Sequence, residues 1–388
     1  MKKMNLLPLF YTSHLKTQLK RAEFLIFLIL IVMLQQHRIV KLEELANQFP
    51  QKILFESRRK KLQRFLSLPH LTIEKMWWPL FSYLLTNNFD QGQVLYIAID
   101  RTQWGLVNLI VVSLIYDKRA IPIYWEVMPN LGNTNASKQI EVLSRVLPLL
   151  SNYRKVVLGD REFCSVDLAQ WLRSQPQTYF CLRLKRNEYI EIAPDIWQKL
   201  QDLGVNPGFS IYLQGVKLTK TKGFERANIA AKWKRNYREK SAQEAWFILT
   251  NFKDLNQAIS AYQKRFGIEE MFRDYKSGGD NLESTGINDD RLIALIILIT
   301  LAYTSSIMSG EKIKTKGVVK YVGRVKEKRR AQRRHSSFYI GLHGYAWVES
   351  LDLFSEQTAQ LMSLSPHKRP YYQRGRRAET LIQSTFEL

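Results

Sequence analysis

The chain has 388 residues, 45% of them apolar, which suits a large core domain with smaller attached units and excludes a disordered chain. Lys and Arg number 58 against 35 acidic residues, a formal net charge of +23. A surplus of that size calls for a polyanionic partner: nucleic acid first, with anionic membrane and ribosome as the other candidates.

Residues 1–90 read as helical. Residues 15–34 are expected to form one helix and 41–49 a second. A third is expected to open at Ser57 as N-cap, with Leu62, Phe65 and Leu66 turned to a small core and its basic residues on one side. Such a charged side is either a solvated face or a DNA-contacting one. The apolar run 24–34 is too short to span a bilayer and too far from the N-terminus for a signal peptide.

From Gln93 the pattern turns to strands. Residues 94–100 and 106–116 and then 120–128 form three β-branched-rich runs joined by short polar links, the pattern of an antiparallel meander. A helix over 137–150, a strand over 155–160, a helix over 166–172 and a strand over 179–184 follow. That order predicts an α/β fold with a mixed sheet and flanking helices, like ribonuclease H. The two cysteines, Cys164 and Cys181, have no partner at zinc-ligand spacing and read as buried thiols.

Residues 187–245 are polar, basic and turn-rich, with strands expected at 210–218 and 227–233, a β-rich insertion. A strand over 245–250 and a long helix over 256–276 come next. The apolar run 292–308 carries Thr300, Thr304, Ser305 and Ser306 and reads as a buried core helix rather than a membrane span. From Lys312 onward the chain is rich in Arg and Lys, most densely at 329–335. The expected division is 1–90, a helical and DNA-binding region; 91–186 with 246–310, a catalytic domain; 187–245, the insertion; and 311–388, a basic region for DNA contact or dimerisation.

Two of these strands end on carboxylates, Asp100 and Asp160. Taken singly, each is as readily structural as functional. On one helix, Tyr262, Arg265, Glu269 and Lys276 would lie within about 60° of one another at roughly 100° per residue. Ile268, Met271, Phe272 and Tyr275 would form the adjoining apolar stripe. A salt bridge between Arg265 and Glu269 is the plain reading of that edge. Phosphodiester chemistry offers another, because two hard divalent ions need only convergent carboxylates, and cations beside them clamp phosphates.

Tyr262-x2-Arg265-x3-Glu269-x6-Lys276 resembles the YREK signature of a group of bacterial insertion-sequence DDE transposases, with Asp100 and Asp160 where that group has its other carboxylates. The resemblance runs over about residues 94–308. It extends to Asp100-Arg101-Thr102, Asp160-Arg161-Glu162, residues 179–186 and Trp246-Phe247-Ile248-Leu249-Thr250. It implies a ribonuclease H-like catalytic domain in which Asp100, Asp160 and Glu269 hold two Mg²⁺ ions, with Mn²⁺ as a substitute. It also implies DNA contacts from Tyr262, Arg265, Lys276, Arg183 and Lys185. Trp246, otherwise a core aromatic, would stack on a flipped base, as its counterpart does in hairpin-forming members. The implied function is cut-and-paste transposition by a bacterial, cytoplasmic, nucleoid-associated enzyme. The protein would act on double-stranded DNA as a homodimer holding two ends, without a membrane role. The alternatives are a structure-specific nuclease or resolvase on the same fold, or a DNA-binding protein without activity.

Overall fold

The computed structural model describes residues 7–104, 107–129, 132, 134–219, 223–235, 244–278, 282, 289–325 and 335–386. The chain divides into two compact units: residues 1–81 with 274–388, and residues 82–273.

The first unit is helical. It opens with α1 (Leu9–Gln18), α2 (Arg21–His37), α3 (Leu42–Gln48) and α4 (Phe55–Leu66), and α5 (Trp78–Asn88) runs on into the second unit. The single helix expected over 15–34 is therefore two. Leu19 is extended, and Lys20 opens α2 with its backbone N–H donating to Glu23. Ser57 is not a cap; α4 begins one turn earlier and buries Leu62, Phe65 and Leu66, as expected of its apolar side.

The second unit is built on a ten-stranded mixed sheet. In chain order the strands are β1 (Val94–Trp104), β2 (Val107–Tyr116), β3 (Arg119–Val127), β4 (Arg154–Gly159), β5 (Thr178–Arg183), β6 (Tyr189–Ala193), β7 (Ile196–Lys199), β8 (Ser210–Leu218), β9 (Phe224–Lys232) and β10 (Trp246–Thr250). In space they run β3-β2-β1-β4-β5-β10-β9-β8-β6-β7. The first three form the antiparallel meander, and β4 and β5 then add in parallel. Parallel neighbours need crossovers. The chain supplies α6 (Ala136–Val146), capped by Asn135, and α7 (Val166–Ser174), capped by Ser165. The insertion is indeed β-rich, but its strands extend the same sheet through β9–β10 pairing, and β6 and β7 were not legible as strands.

Two expectations about this unit need correction. Asp100 does not end its strand: β1 continues through Trp104, because β2 goes on offering partners after β4 has stopped at Gly159. Nor is 256–276 one helix. α8 (Leu255–Gln263) and α9 (Phe266–Gly278) are separated by a turn at Lys264 and Arg265. Gly267 explains where α9 can start, since a Cβ there would lie 2.6 Å from the Arg119 carbonyl oxygen of β3. Close approach of helix to strand requires that glycine. Ile268, Met271, Phe272 and Tyr275 are buried as expected.

The first unit is completed by α10 (Asp289–Thr315), α11 (Ser337–Leu353), α12 (Ser355–Ser363) and α13 (Arg369–Gln383). α10 is long and apolar enough to cross a bilayer, yet 89% of its most apolar stretch is buried inside the protein. Several of its polar groups are matched internally. Tyr11 Oη lies 2.8 Å from Thr304 Oγ1, and Gln35 Nε2 donates to the Ala302 carbonyl at 2.9 Å and to Ser306 Oγ at 3.1 Å. α10 and α11 cross at Gly310 and Gly341, where a Cβ on either would fall 1.8 Å from a carbonyl oxygen of the other helix. One compact unit thus joins both ends of the chain, including α10, into one helical body. The basic run 326–334 lies outside the described residues.

Candidate active site

Three neighbouring segments of the sheet unit place the acidic residues. Ile99 of β1 pairs in parallel with Gly159 of β4, so Asp100 is the next residue along β1 and Asp160 the first residue past the end of β4. Neighbouring strands lie about 4.8 Å apart, and residues at equal register share a face. Asp100 Oδ1 accepts the Arg101 backbone N–H at 2.8 Å, and Asp160 Oδ1 accepts that of Glu162 at 2.9 Å. Gly159 makes the tight exit from β4 possible, because a Cβ there would meet Phe163 Cβ at 2.7 Å.

The two acidic segments are tied to each other by a pair that sequence reasoning did not single out. Arg101 Nε donates to both carboxylate oxygens of Glu162 at 3.0 Å, and its Nη1 to Asn108 Oδ1 at 3.1 Å. The backbone N–H of Thr134 also donates to Glu162, at 2.9 Å. Both triplets were visible in the sequence. What was not visible was that the residue after one carboxylate would bind the second residue after the other.

The third carboxylate arrives through Arg265. From the turn between α8 and α9, its Nη1 donates to Asp100 Oδ2 at 3.2 Å and its Nη2 to Glu269 Oε1. The side chains of Arg265 and Asp100 are 8% and 13% exposed, whereas that of Glu269 is 42% exposed. Burial pushes the Asp100 carboxyl up to about 7; Arg265 opposes the rise, and the charges of Asp160 and Glu269 add to it. For Arg265, burial lowers basicity, but Tyr262, Asp100, Glu269 and Asp160 together raise it above the ordinary arginine value. Both shifts describe one cluster, in which Asp100 and Glu269 pair with the Arg265 guanidinium and the charge of Asp160 acts on both Asp100 and Arg265.

Other expected site residues fall into two groups. Tyr262 is buried at the end of α8, and Arg183 ends β5. Burial raises the Tyr262 pKa against the charges of Arg265 and Arg183, and burial lowers that of Arg183. Arg183 Nη2 donates to Glu244 at 2.8 Å, and Arg161 pairs with the same carboxylate. Trp246 is partly buried, edge-on to Tyr262 at 5.3 Å and tilted to Phe266 at 5.9 Å, with Lys234 4.7 Å above its ring. Lys185 instead stands exposed past the end of β5, on a cavity with Cys164, Ser165, Glu188 and Thr219. Lys276 is exposed two turns along α9 from Glu269, in the stretch that belongs to the helical unit. The four signature residues therefore do not share one helix edge: Tyr262 is on α8, Arg265 in the turn and the other two on α9.

A hard divalent ion takes oxygen ligands, and the donor chemistry of Asp100, Asp160 and Glu269 fits one. Among the described residues, however, no three Asp, Glu, His or Cys side chains converge closely enough to ligate a common ion. Two of the carboxylates converge on Arg265 instead.

Acidic groups at the end of the β1–β4 pairing, one of them held by Arg265 and with Arg183 and Arg161 paired to Glu244 in the same unit, suit an enzyme that handles a polyanion with the help of a cation. The family described as "Transposase DDE domain" matches residues 103–304, just over half of the chain. The protein belongs to this family of DDE transposases. Asp160, Glu269 and the basic residues lie inside the matched span, and Asp100 lies three residues before it. No curated protein sequence matches the chain. Among solved structures, it is similar to a piggyBac transposase synaptic complex with hairpin DNA determined by cryo-EM. That likeness has 12% identity over 90% of this chain and 78% of the other, and a TM-score of 0.45. A TM-score that low does not put two chains in one fold.

Proposed function

We propose that this transposase belongs to the YREK group of bacterial insertion sequences and carries out cut-and-paste transposition. It would cut at the ends of its element and join the 3′ ends to target DNA. The observation that carries this reading is the cluster itself: Asp100 on β1 and Asp160 just past the end of the neighbouring β4, with Glu269 linked to Asp100 through Arg265. The strand order β3-β2-β1-β4-β5, three antiparallel strands followed by two parallel ones, supports a ribonuclease H-like core.

DDE transposases generally depend on divalent metal. Asp100, Asp160 and Glu269 would hold two Mg²⁺ ions, or Mn²⁺ in their place. Bound there, such ions activate the attacking oxygen and stabilise the leaving one. The remaining work falls to the chain's own groups. Arg183, Tyr262, Arg265, Lys185 and Lys276 would hold phosphates and orient the scissile bond. Trp246 would stack on an unpaired base, after Lys234 has moved off its ring. We assign DNA contact to residues 1–90, catalysis to 91–186 with 246–310, and DNA contact or dimerisation to 311–388. Two ends held together call for a homodimer on DNA, acting in the bacterial cytoplasm near the nucleoid.

Inverted repeats bounded by direct repeats are expected in the DNA flanking the reading frame. A duplex carrying those repeats, pre-cut at its 3′ ends, should be joined to a target plasmid in Mg²⁺. Asp100→Ala, Asp160→Ala and Glu269→Ala should each abolish cutting and joining while leaving the thermal melt cooperative. Cutting without any joined product would mean a nuclease or resolvase, and undiminished cleavage by Asp100→Ala would remove Asp100 from the site.

A further inference from the structure

Arg265 makes two contacts of unequal exposure. Its grip on Asp100 is buried, whereas its grip on Glu269 reaches a side chain that is 42% exposed. A pair with one partner in solvent is worth little, so the Glu269 end is the one that opens. Arginine remains charged at any accessible pH, so it cannot leave these carboxylates by losing a proton. A second cation can bind Asp100 and Glu269 together only if the guanidinium moves. Among the described residues, Arg265 Nε and Arg161 Nε are buried with no hydrogen-bond partner. Buried donors left unpaired cost free energy, and a tetrahedral oxyanion is the ligand that would satisfy several at once.

We propose that Arg265 is the resident counter-cation of this site, and that a DNA phosphate must draw it off Glu269 before a divalent ion takes the carboxylates. Metal and DNA therefore bind with positive coupling, and the protein without DNA is guarded against loading metal. This rests on the transposase reading and adds to it a change of partner at Arg265. The guanidinium is a positioning group that serves the carboxylates in one state and a phosphate in the other.

The test is Mn²⁺ binding, followed by the free-ion EPR signal, to the full-length protein with and without a short blunt duplex of arbitrary sequence. Without DNA, Arg265→Gln should bind Mn²⁺ roughly tenfold tighter than wild type, within the range usual for coupled sites. Arg265→Lys, which keeps the charge, should remain close to wild type. The duplex should tighten Mn²⁺ binding by wild type and change that of Arg265→Gln much less. Reciprocity requires Mn²⁺ to tighten duplex binding by the same factor. Equal or weaker Mn²⁺ binding by Arg265→Gln than by wild type, abolished in both by Asp160→Asn, would overturn the exchange and leave the carboxylate site standing. Mn²⁺ binding indifferent to Asp160→Asn would instead bring down the site. Should Arg265→Gln fail to fold, wild type decides alone: a duplex that leaves its Mn²⁺ affinity unchanged overturns the proposal.

Discussion

At the scale of single residues, the site is braced by Arg101 and Glu162, whose side chains are 18% and 12% exposed. Removing one member of so enclosed a pair leaves the other charge without its partner. Arg101→Met should therefore cost about 3 kcal/mol of stability, the lower end of what such deletions cost. The double variant Arg101→Met/Glu162→Gln should recover part of that, a non-additivity readable from urea denaturation. If the single and double variants cost the same, the two acidic segments are not held together by this pair. The pair also marks the limit of what the sequence disclosed. Asp160 was legible because an apolar run stops at Gly159 just before it. Asp100 was legible as a residue but not as a mid-strand position, since only β2 across the sheet decides how far β1 runs. That Arg101 and Glu162 meet follows from register between strands some sixty residues apart, which no local pattern carries.

At the scale of elements, apolar β-branched runs located β1–β5 and β10 well, because a strand enclosed by a sheet and helices must be apolar along its length. β6 and β7 escaped, being short and only partly buried, without an unbroken apolar run to mark them. The break between α8 and α9 escaped for another reason. Lys264 and Arg265 are good helix formers, and the turn is set by the meeting of Gly267 with Arg119, a tertiary contact that overrides propensity. Glycine also governs the helical unit. A methyl on Gly341 would drive into the Ser306 carbonyl oxygen at 1.8 Å. Gly341→Ala should thus cost about 3 kcal/mol or more through overpacking, measured as a lowered urea midpoint. A change of only a few tenths would mean that α10 and α11 part easily at this crossing.

At the scale of the whole molecule, the +23 charge was the earliest legible property and the least specific. It makes a quantitative demand on DNA binding. If about six to ten phosphates are contacted, affinity should fall about a thousandfold or more between roughly 50 and 200 mM salt. Fluorescence anisotropy with a labelled duplex measures this, and a nearly flat salt response would show that the charge serves something else. The joining of residues 1–81 to 274–388 was not legible at all, since composition says nothing about which distant helices will share a core. It has a consequence for synthesis. Gln35 leaves the ribosome long before the Ala302 and Ser306 groups it bonds, separated from them by 267 and 271 residues. At about 5–20 residues per second that is a wait on the order of tens of seconds. Throughout it the buried faces of α1 and α2 have no α10 to cover them. Helices α1 and α2 are thus made well before the helix that completes their packing, so a newly made chain leans on chaperones to shield those faces over that interval.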